Sequence, residues 1–138
     1  MFREMSREMF REIEAMGDLL LSTPKLWPWA ESLDALVAAP SHHQLLLEDE
    51  RIRVLHTRIP VGDVVPLHTH RWGGVSYVLS FSHFIRRDEA GEIVFDSRAA
   101  GEPPKIPCAQ WSQPLAAHTV ENLGECEISV ILIELKGL

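Results

Sequence analysis

The feature that most constrains this chain is a change of texture at Ser41. From there to the C-terminus, apolar and β-branched residues come in runs of four to nine separated by turn-forming residues. The candidate strands are 44–47, 51–59, 64–70, 75–81, 83–87, 93–96, 110–114, 119–122 and 127–135. Such runs are too short for helices of ordinary length, and each half-buried strand needs a neighbour at its edge and a second layer against its apolar face. Many short strands at regular spacing satisfy both needs in a sandwich or closed barrel, so the expected fold class is all-β. Residues 86–92 (RRDEAGE) read as a hairpin loop, and residues 99–107 (AAGEPPKIP) as a longer surface loop.

Upstream of Ser41 the period changes. Phe2, Met5, Met9, Ile13, Met16 and Leu20 recur at steps of three and four, with Arg3, Glu4, Arg7, Glu8, Arg11 and Glu12 between them, which predicts an amphipathic helix over 2–21. Its Met-rich stripe suits either a partner-binding face or a face docked on its own domain or a subunit neighbour, and such stripes are usually core. Pro24 and Pro28 end this helix, Trp27 and Trp29 read as packing anchors, and 32–39 (SLDALVAA) reads as a short second helix stopped by Pro40. The expected organisation is an N-terminal helical arm over 1–40 and a β-barrel domain over 41–138.

At 138 residues there is room for one hydrophobic core. Hydrophobic residues make up 46% and charged residues 24%, which fits a globular chain and neither a disordered nor a membrane one. Thirteen Lys plus Arg against 20 Asp plus Glu leave a formal charge of −7 and no basic run, so no nucleic-acid partner is expected. No apolar stretch approaches the ~18 residues of a membrane helix, and glutamates break the N-terminus where a signal peptide would be apolar. Cys108 and Cys126 are too few and too far apart for a metal or redox motif. A cytoplasmic protein with reduced thiols is expected.

Seven histidines direct attention to metal chemistry. His42 and His43 stand beside Ser41 where a loop enters a strand, a place for exposed polar residues. His56 and His83 lie in strand-like runs as hydrogen-bonded structural histidines. His68 and His70 differ: in VVPLHTH the period of two sends both imidazoles to one face, which is half of a metal site. Gly62 stands six residues before His68, and far downstream His118 is followed by Asn122.

In these residues the chain resembles the cupins. Their first motif runs glycine, five residues, His-x-His, three or four residues, glutamate, six residues, glycine, and Gly62, His68 and His70 match it. Their second motif ends in a histidine, three residues and an asparagine, which His118 and Asn122 match. The resemblance covers about 44–135 and implies an antiparallel cupin barrel, a double-stranded β-helix or jelly roll, in which His68, His70 and His118 converge as metal ligands. It also departs from the motifs. Gly74 or Val75 stands where the metal-binding glutamate would be, Phe81 or Ser82 where the closing glycine would be, Pro114 sits four residues before His118, and Leu115 replaces a glycine.

Three neutral imidazoles without a carboxylate suit Fe(II), Zn(II), Ni(II) or Cu(II). They also leave the ion's full charge and open positions to a small anionic or chelating molecule. The resemblance therefore implies a mononuclear three-histidine site, most simply Fe(II) in a dioxygenase-type oxidoreductase. The rival reading is a non-catalytic binding or sensory cupin whose metal is structural or absent. A homodimer is a further expectation of the family. Imidazoles must be neutral to ligate, so affinity is expected to fall as pH drops through ~6.5. A glutamate placed at position 74 or 75 is expected to add the missing ligand. Trp72, Ser76, Tyr77, Gln110 and Trp111 flank the motifs as candidate pocket walls, with packing as their default role. Cys108 and Arg58 are more remote candidates, the latter for a substrate carboxylate.

Overall fold

The pairing of β2 (Ile52–Ile59) with β9 (Ile128–Leu135) forms the middle of the structure, a computed structural model that describes residues 26–137. The two strands run antiparallel in unbroken register from Ile52 opposite Leu135 to Ile59 opposite Ile128. Along β2 the alternation buries Arg53, Leu55, Thr57 and Ile59. Two charged or polar residues on an otherwise apolar inward face already mark this layer as more than packing. The helix expected over 2–21 lies outside the described residues.

The remaining strands are β1 (His43–Glu48), β3 (Val64–His70), β4 (Gly74–Ser80), β5 (Phe84–Asp88), β6 (Ile93–Asp96), β7 (Cys108–Ser112) and β8 (Leu115–Asn122). They form a five-stranded sheet in the order β1-β2-β9-β4-β7 and a four-stranded sheet in the order β3-β8-β5-β6, all pairings antiparallel. Every expected strand is present. The largest boundary shift is at β8, which begins at Leu115 because that residue pairs with His70 across the sheet. Long-range pairing there overrides the weak strand signal of Leu-Ala-Ala.

At one end, the sheets close around Asn122. Its side-chain amide donates to the carbonyls of Ile59 and Cys126, both at 2.9 Å, and its Oδ1 accepts from the Gly124 amide at 3.0 Å. Gly62, at φ +81°, turns the chain from β2 into β3 and donates its amide to the Asn122 carbonyl. The two motif residues that do not ligate are therefore structural, and they meet. Beside them lies the apolar core of Ala39, Ile59, Val65, Val120 and Ile128. The opposite end of the barrel carries polar groups.

The short helix expected over 32–39 is split. A 3-10 turn, Glu31–Leu33, precedes a four-residue helix α1 (Ala35–Ala38), and Asp34 between them is extended, its carboxylate accepting from the Leu36 amide at 3.1 Å. Asp34 breaks the helix because the same carboxylate is held by an arginine of the barrel. The hairpin loop is also tighter than expected, since Asp88 Oδ1 accepts from the amides of Ala90 and Glu92 and extends β5 to Asp88. Among the described residues no helix is long and apolar enough to cross a membrane, and both cysteines are free.

Candidate metal centre

Antiparallel register brings the motif histidines together. His68 on β3 lies directly opposite His118 on β8, and His70, two residues on and on the same face, pairs with Leu115 across a register shift. The three are 2%, 7% and 3% exposed for His68, His70 and His118. Ring centroids lie 4.3 Å apart for His68 and His118, 5.0 Å for His68 and His70, and 5.9 Å for His70 and His118. His68 and His118 are 50 positions apart in the sequence, and buried polar groups brought together over such a distance need partners for their polar atoms.

The structure adds a fourth imidazole. His43, expected to be exposed, is buried at 5%, because pairing with Thr57 turns the first residue of β1 inward. Its ring lies 4.8 Å from that of His68 and 5.3 Å from that of His70. One nitrogen from each of His43, His68 and His70 falls within 4.8 Å of the others. By contrast His42 pairs with Asp63 at 3.0 Å, His56 with the Ser129 hydroxyl and His83 with the Ser97 hydroxyl, all outside the cluster.

The tautomer of each clustered ring follows from its partner. Nδ1 of His43 meets the Ala39 carbonyl at 2.9 Å, Nδ1 of His68 the Pro66 carbonyl at 2.7 Å, and Nδ1 of His118 the Ala116 carbonyl at 2.7 Å. Nδ1 of His70 meets Glu134 Oε2 at 3.2 Å. Carbonyl and carboxylate oxygens accept, so each Nδ1 carries the proton and each Nε2 keeps its lone pair. No Nε2 of the four has a hydrogen-bond partner among the described residues. Burial, followed by the positive potential of neighbouring rings, pushes His68 down to about 2. Burial also lowers His70 and His118 to about 3 each, and lowers His43. The rings are thus neutral well below the pH at which free imidazole protonates. This corrects the expectation of proton competition near ~6.5: in the folded barrel that window lies in stronger acid.

The missing glutamate also needs correction. A Cβ on Gly74 would stand 1.9 Å from the Ile133 carbonyl oxygen, so no side chain fits there without moving backbone. Gly74, Ser76 and Val78 are the buried members of β4, while Val75 is on its other, half-exposed face. Position 74 therefore cannot carry the carboxylate. The acid comes instead from the register partner of Gly74, Glu134, which is 3% exposed. Its Oε2 holds His70, and its Oε1 accepts from Arg53 Nε at 2.6 Å. Arg53 then donates to both oxygens of Asp34 at 2.9 and 2.8 Å. A continuous polar chain runs from Asp34 through Arg53 and Glu134 to His70. Although burial penalises the charged forms, these bonds and charges keep Arg53 protonated and hold Asp34 below the usual carboxylate range. Glu134 reads as an ordinary strand glutamate in IELK, and its place shows only once β9 is paired with β2.

The cluster opens into a cavity of about 630 Å³, within the roughly 300–1,000 Å³ typical of small-molecule sites. Trp72, Ser76, Gln110 and Trp111 line it as expected, whereas Tyr77 and Cys108 do not. Arg58 is exposed and bonds to His56, outside the cavity. The arginine that does line it is Arg86 of β5, which belongs to the expected strand 83–87 and also to the start of the expected hairpin loop. Phe84 and Arg86 share one face of β5 by the period of two, and that spacing is the signal for it.

Divalent transition metals suit these neutral nitrogens. An ion about 2.1 Å from each Nε2 places ring centroids about 5 Å apart, and the five ring distances straddle that value, but the nitrogens that all lie within 4.8 Å of one another are those of His43, His68 and His70, a group that leaves out His118. Each ligating ring would keep the Nδ1 anchor typical of metal-bound histidine, one of them to a carboxylate.

No protein-family model matches the chain. No curated protein sequence matches it either. Solved structures do. The chain is similar to a cupin domain from Bordetella pertussis Tohama I, with 18% identity, a TM-score of 0.55, and coverage of 69% of this chain and 92% of that one. It is also similar to an RmlC-like cupin family protein with a double-stranded β-helix fold from Methanocaldococcus jannaschii, with 11% identity, a TM-score of 0.47, and coverage of 80% and 89%. The first likeness, with the two-sheet topology above, makes the class plain: a jelly-roll β-barrel built round a buried histidine cluster. The chain has the fold of the cupin superfamily.

Proposed function

We propose that the chain is a metal-dependent cupin whose single divalent transition-metal site is made by Nε2 of His68, His70 and His118, with His43 as a further ligand. The observation that carries this reading is the convergence of four buried, neutral imidazoles, each with Nδ1–H tied to an acceptor, which leaves Nε2 as the free donor nitrogen. With only neutral donors the ion's charge is uncompensated in the first shell, which favours a small anionic or chelating molecule in the cavity. Fe(II) is the leading ion, with Zn(II) and Ni(II) as competitors for the same nitrogens. When bound, Fe(II) would supply Lewis acidity and one-electron chemistry toward O₂, which makes a dioxygenase-type oxidoreductase the activity proposed. The chain's own contribution is to fix the rings, hold them unprotonated and keep bulk water from the site. Glu134 orients His70 and strengthens its donor nitrogen by accepting from Nδ1.

Elemental analysis of protein purified without chelators tests the site. One metal per chain is expected, with strong loss in His68→Ala, His70→Ala, His118→Ala and His43→Ala. Glu134→Gln should weaken metal affinity by roughly 10- to 100-fold, the usual effect of removing an outer-shell carboxylate. Wild-type metal content in all four alanine variants would overturn the assignment.

A further inference from the structure

Arg86 is the group in the cavity that the metal site does not use. It lies on β5 opposite Val120 of β8, so it is a diagonal neighbour of His118 on the same inward face. Its guanidinium carbon is 5.9 Å from the Phe84 ring and 5.5 Å from the Phe95 ring, and those two rings are themselves 5.3 Å apart. Nε is buried and has no hydrogen-bond partner. Neither terminal nitrogen has a hydrogen bond or ion pair among the described residues. The residue is half-buried, on the wall of the cavity, and a guanidinium whose Nε is out of water and meets only aromatic rings is costly, because ring quadrupoles replace a small part of lost hydration and no ion pair offsets the charge. The charge also reaches the metal cluster, where it lowers both His70 and His118. The buried guanidinium of Arg53, by contrast, bonds two carboxylates, so the fold does supply partners to an arginine that serves its structure.

We infer that Arg86 is the anion receptor of the cavity and that its ligand is a small organic acid, whose carboxylate takes the guanidinium fork while its apolar body lies along Phe84 and Phe95. The fork matches a carboxylate in planar, bidentate fashion. A monoanion is favoured over phosphate because, among the described residues, one guanidinium and no lysine line the cavity. This inference rests on the proposed function for the role of the cavity, yet it depends on Arg86 rather than on the metal, so the two separate experimentally.

Titration calorimetry with benzoate and hexanoate, each against its uncharged amide and against inorganic phosphate, tests it on metal-free and metal-loaded protein. The acids should bind one per chain in both forms, and the amides roughly 10- to 100-fold more weakly, as expected for loss of a charge-assisted bidentate bond. Arg86→Gln should weaken the acids by a similar factor and leave metal content unchanged, while Arg86→Lys keeps the charge without the fork and should fall between. Acids and amides binding wild-type protein equally, no acid binding, or binding of phosphate alone would overturn the inference whatever the variants do. Acid binding that depends on Arg86 in a protein that holds no metal would support it and refute the metal site. A metal-loaded protein indifferent to the acids would do the reverse.

Discussion

The two arginines whose charge reaches the histidine cluster, buried Arg53 of β2 and half-buried Arg86 of β5, are treated in opposite ways. Arg53 is 4% exposed and spends its guanidinium on Glu134 and Asp34, so its charge is matched twice over. Arg86 has two aromatic rings and no counter-charge among the described residues, and burial lowers its basicity with nothing opposing it. The difference separates scaffold from receptor. A satisfied buried charge fixes geometry, here the orientation of His70 and the docking of the segment before β1. An unsatisfied one keeps free energy in reserve for a partner that arrives from outside.

The cluster that both arginines reach gives the largest expected effect. In the unfolded chain its histidines titrate near the free value of ~6.5, while in the fold His68 is held at about 2 and His70 and His118 at about 3. Between those limits the unfolded state binds protons that the folded state refuses, so stability falls as pH drops below about 6.5 and continues to fall toward about 3. The slope is on the order of 1 kcal/mol per pH unit for each imidazole. Urea unfolding of metal-free protein at pH 7.5, 6 and 5 should show the midpoint moving steadily down. A midpoint independent of pH over that span would mean that the rings are not held neutral by burial, and would remove the ground for treating both sides of the cavity as desolvated.

Next in size is removal of the matched arginine. Arg53→Met keeps volume and apolar stem but leaves buried Glu134 and half-buried Asp34 without their cation, so a loss of about 3–5 kcal/mol is expected. Thermal or urea unfolding at neutral pH measures it. A loss below about 1 kcal/mol would show that this network is as dispensable as a surface pair, and the contrast with Arg86 would fail.

Legibility in the sequence followed the range of the interaction that decides each residue. His68 and His70 were visible because a period of two is a local property, and β3 was found with its boundaries intact. His118 was found through the resemblance, although the pairing that extends β8 around it was not. His43 was missed because a residue at the start of a strand faces in or out according to its cross-strand partner, here Thr57, and nothing within the chain around Ser41 states that register. Glu134 sits in an apolar run whose meaning depends on Arg53, 81 positions away. Gly74 was read as a vacancy for a ligand, whereas its missing Cβ lets β4 approach the Ile133 carbonyl. Arg86, inside a run of charged residues, has the local texture of a solvated loop, and only the pairing of β5 with β6 and β8 turns it inward.

The smallest expected effect on stability is the most telling for the comparison. Replacing Arg86 by methionine removes a half-buried charge that lacks a counter-ion among the described residues and leaves a flexible apolar side chain beside Phe84 and Phe95, where sulfur–aromatic contacts are favourable. Relief of the desolvation cost and loss of the two cation–π contacts oppose each other, the former being the larger at a site without an anion. Arg86→Met should therefore be neutral or stabilising, by about 0–2 kcal/mol, and Arg53→Met at the same pH and in the same denaturant should be the reverse in sign. The pair of unfolding curves reads the difference directly. If Arg86→Met costs as much as Arg53→Met, Arg86 is part of the scaffold and its charge is already matched, and the receptor role falls with that result.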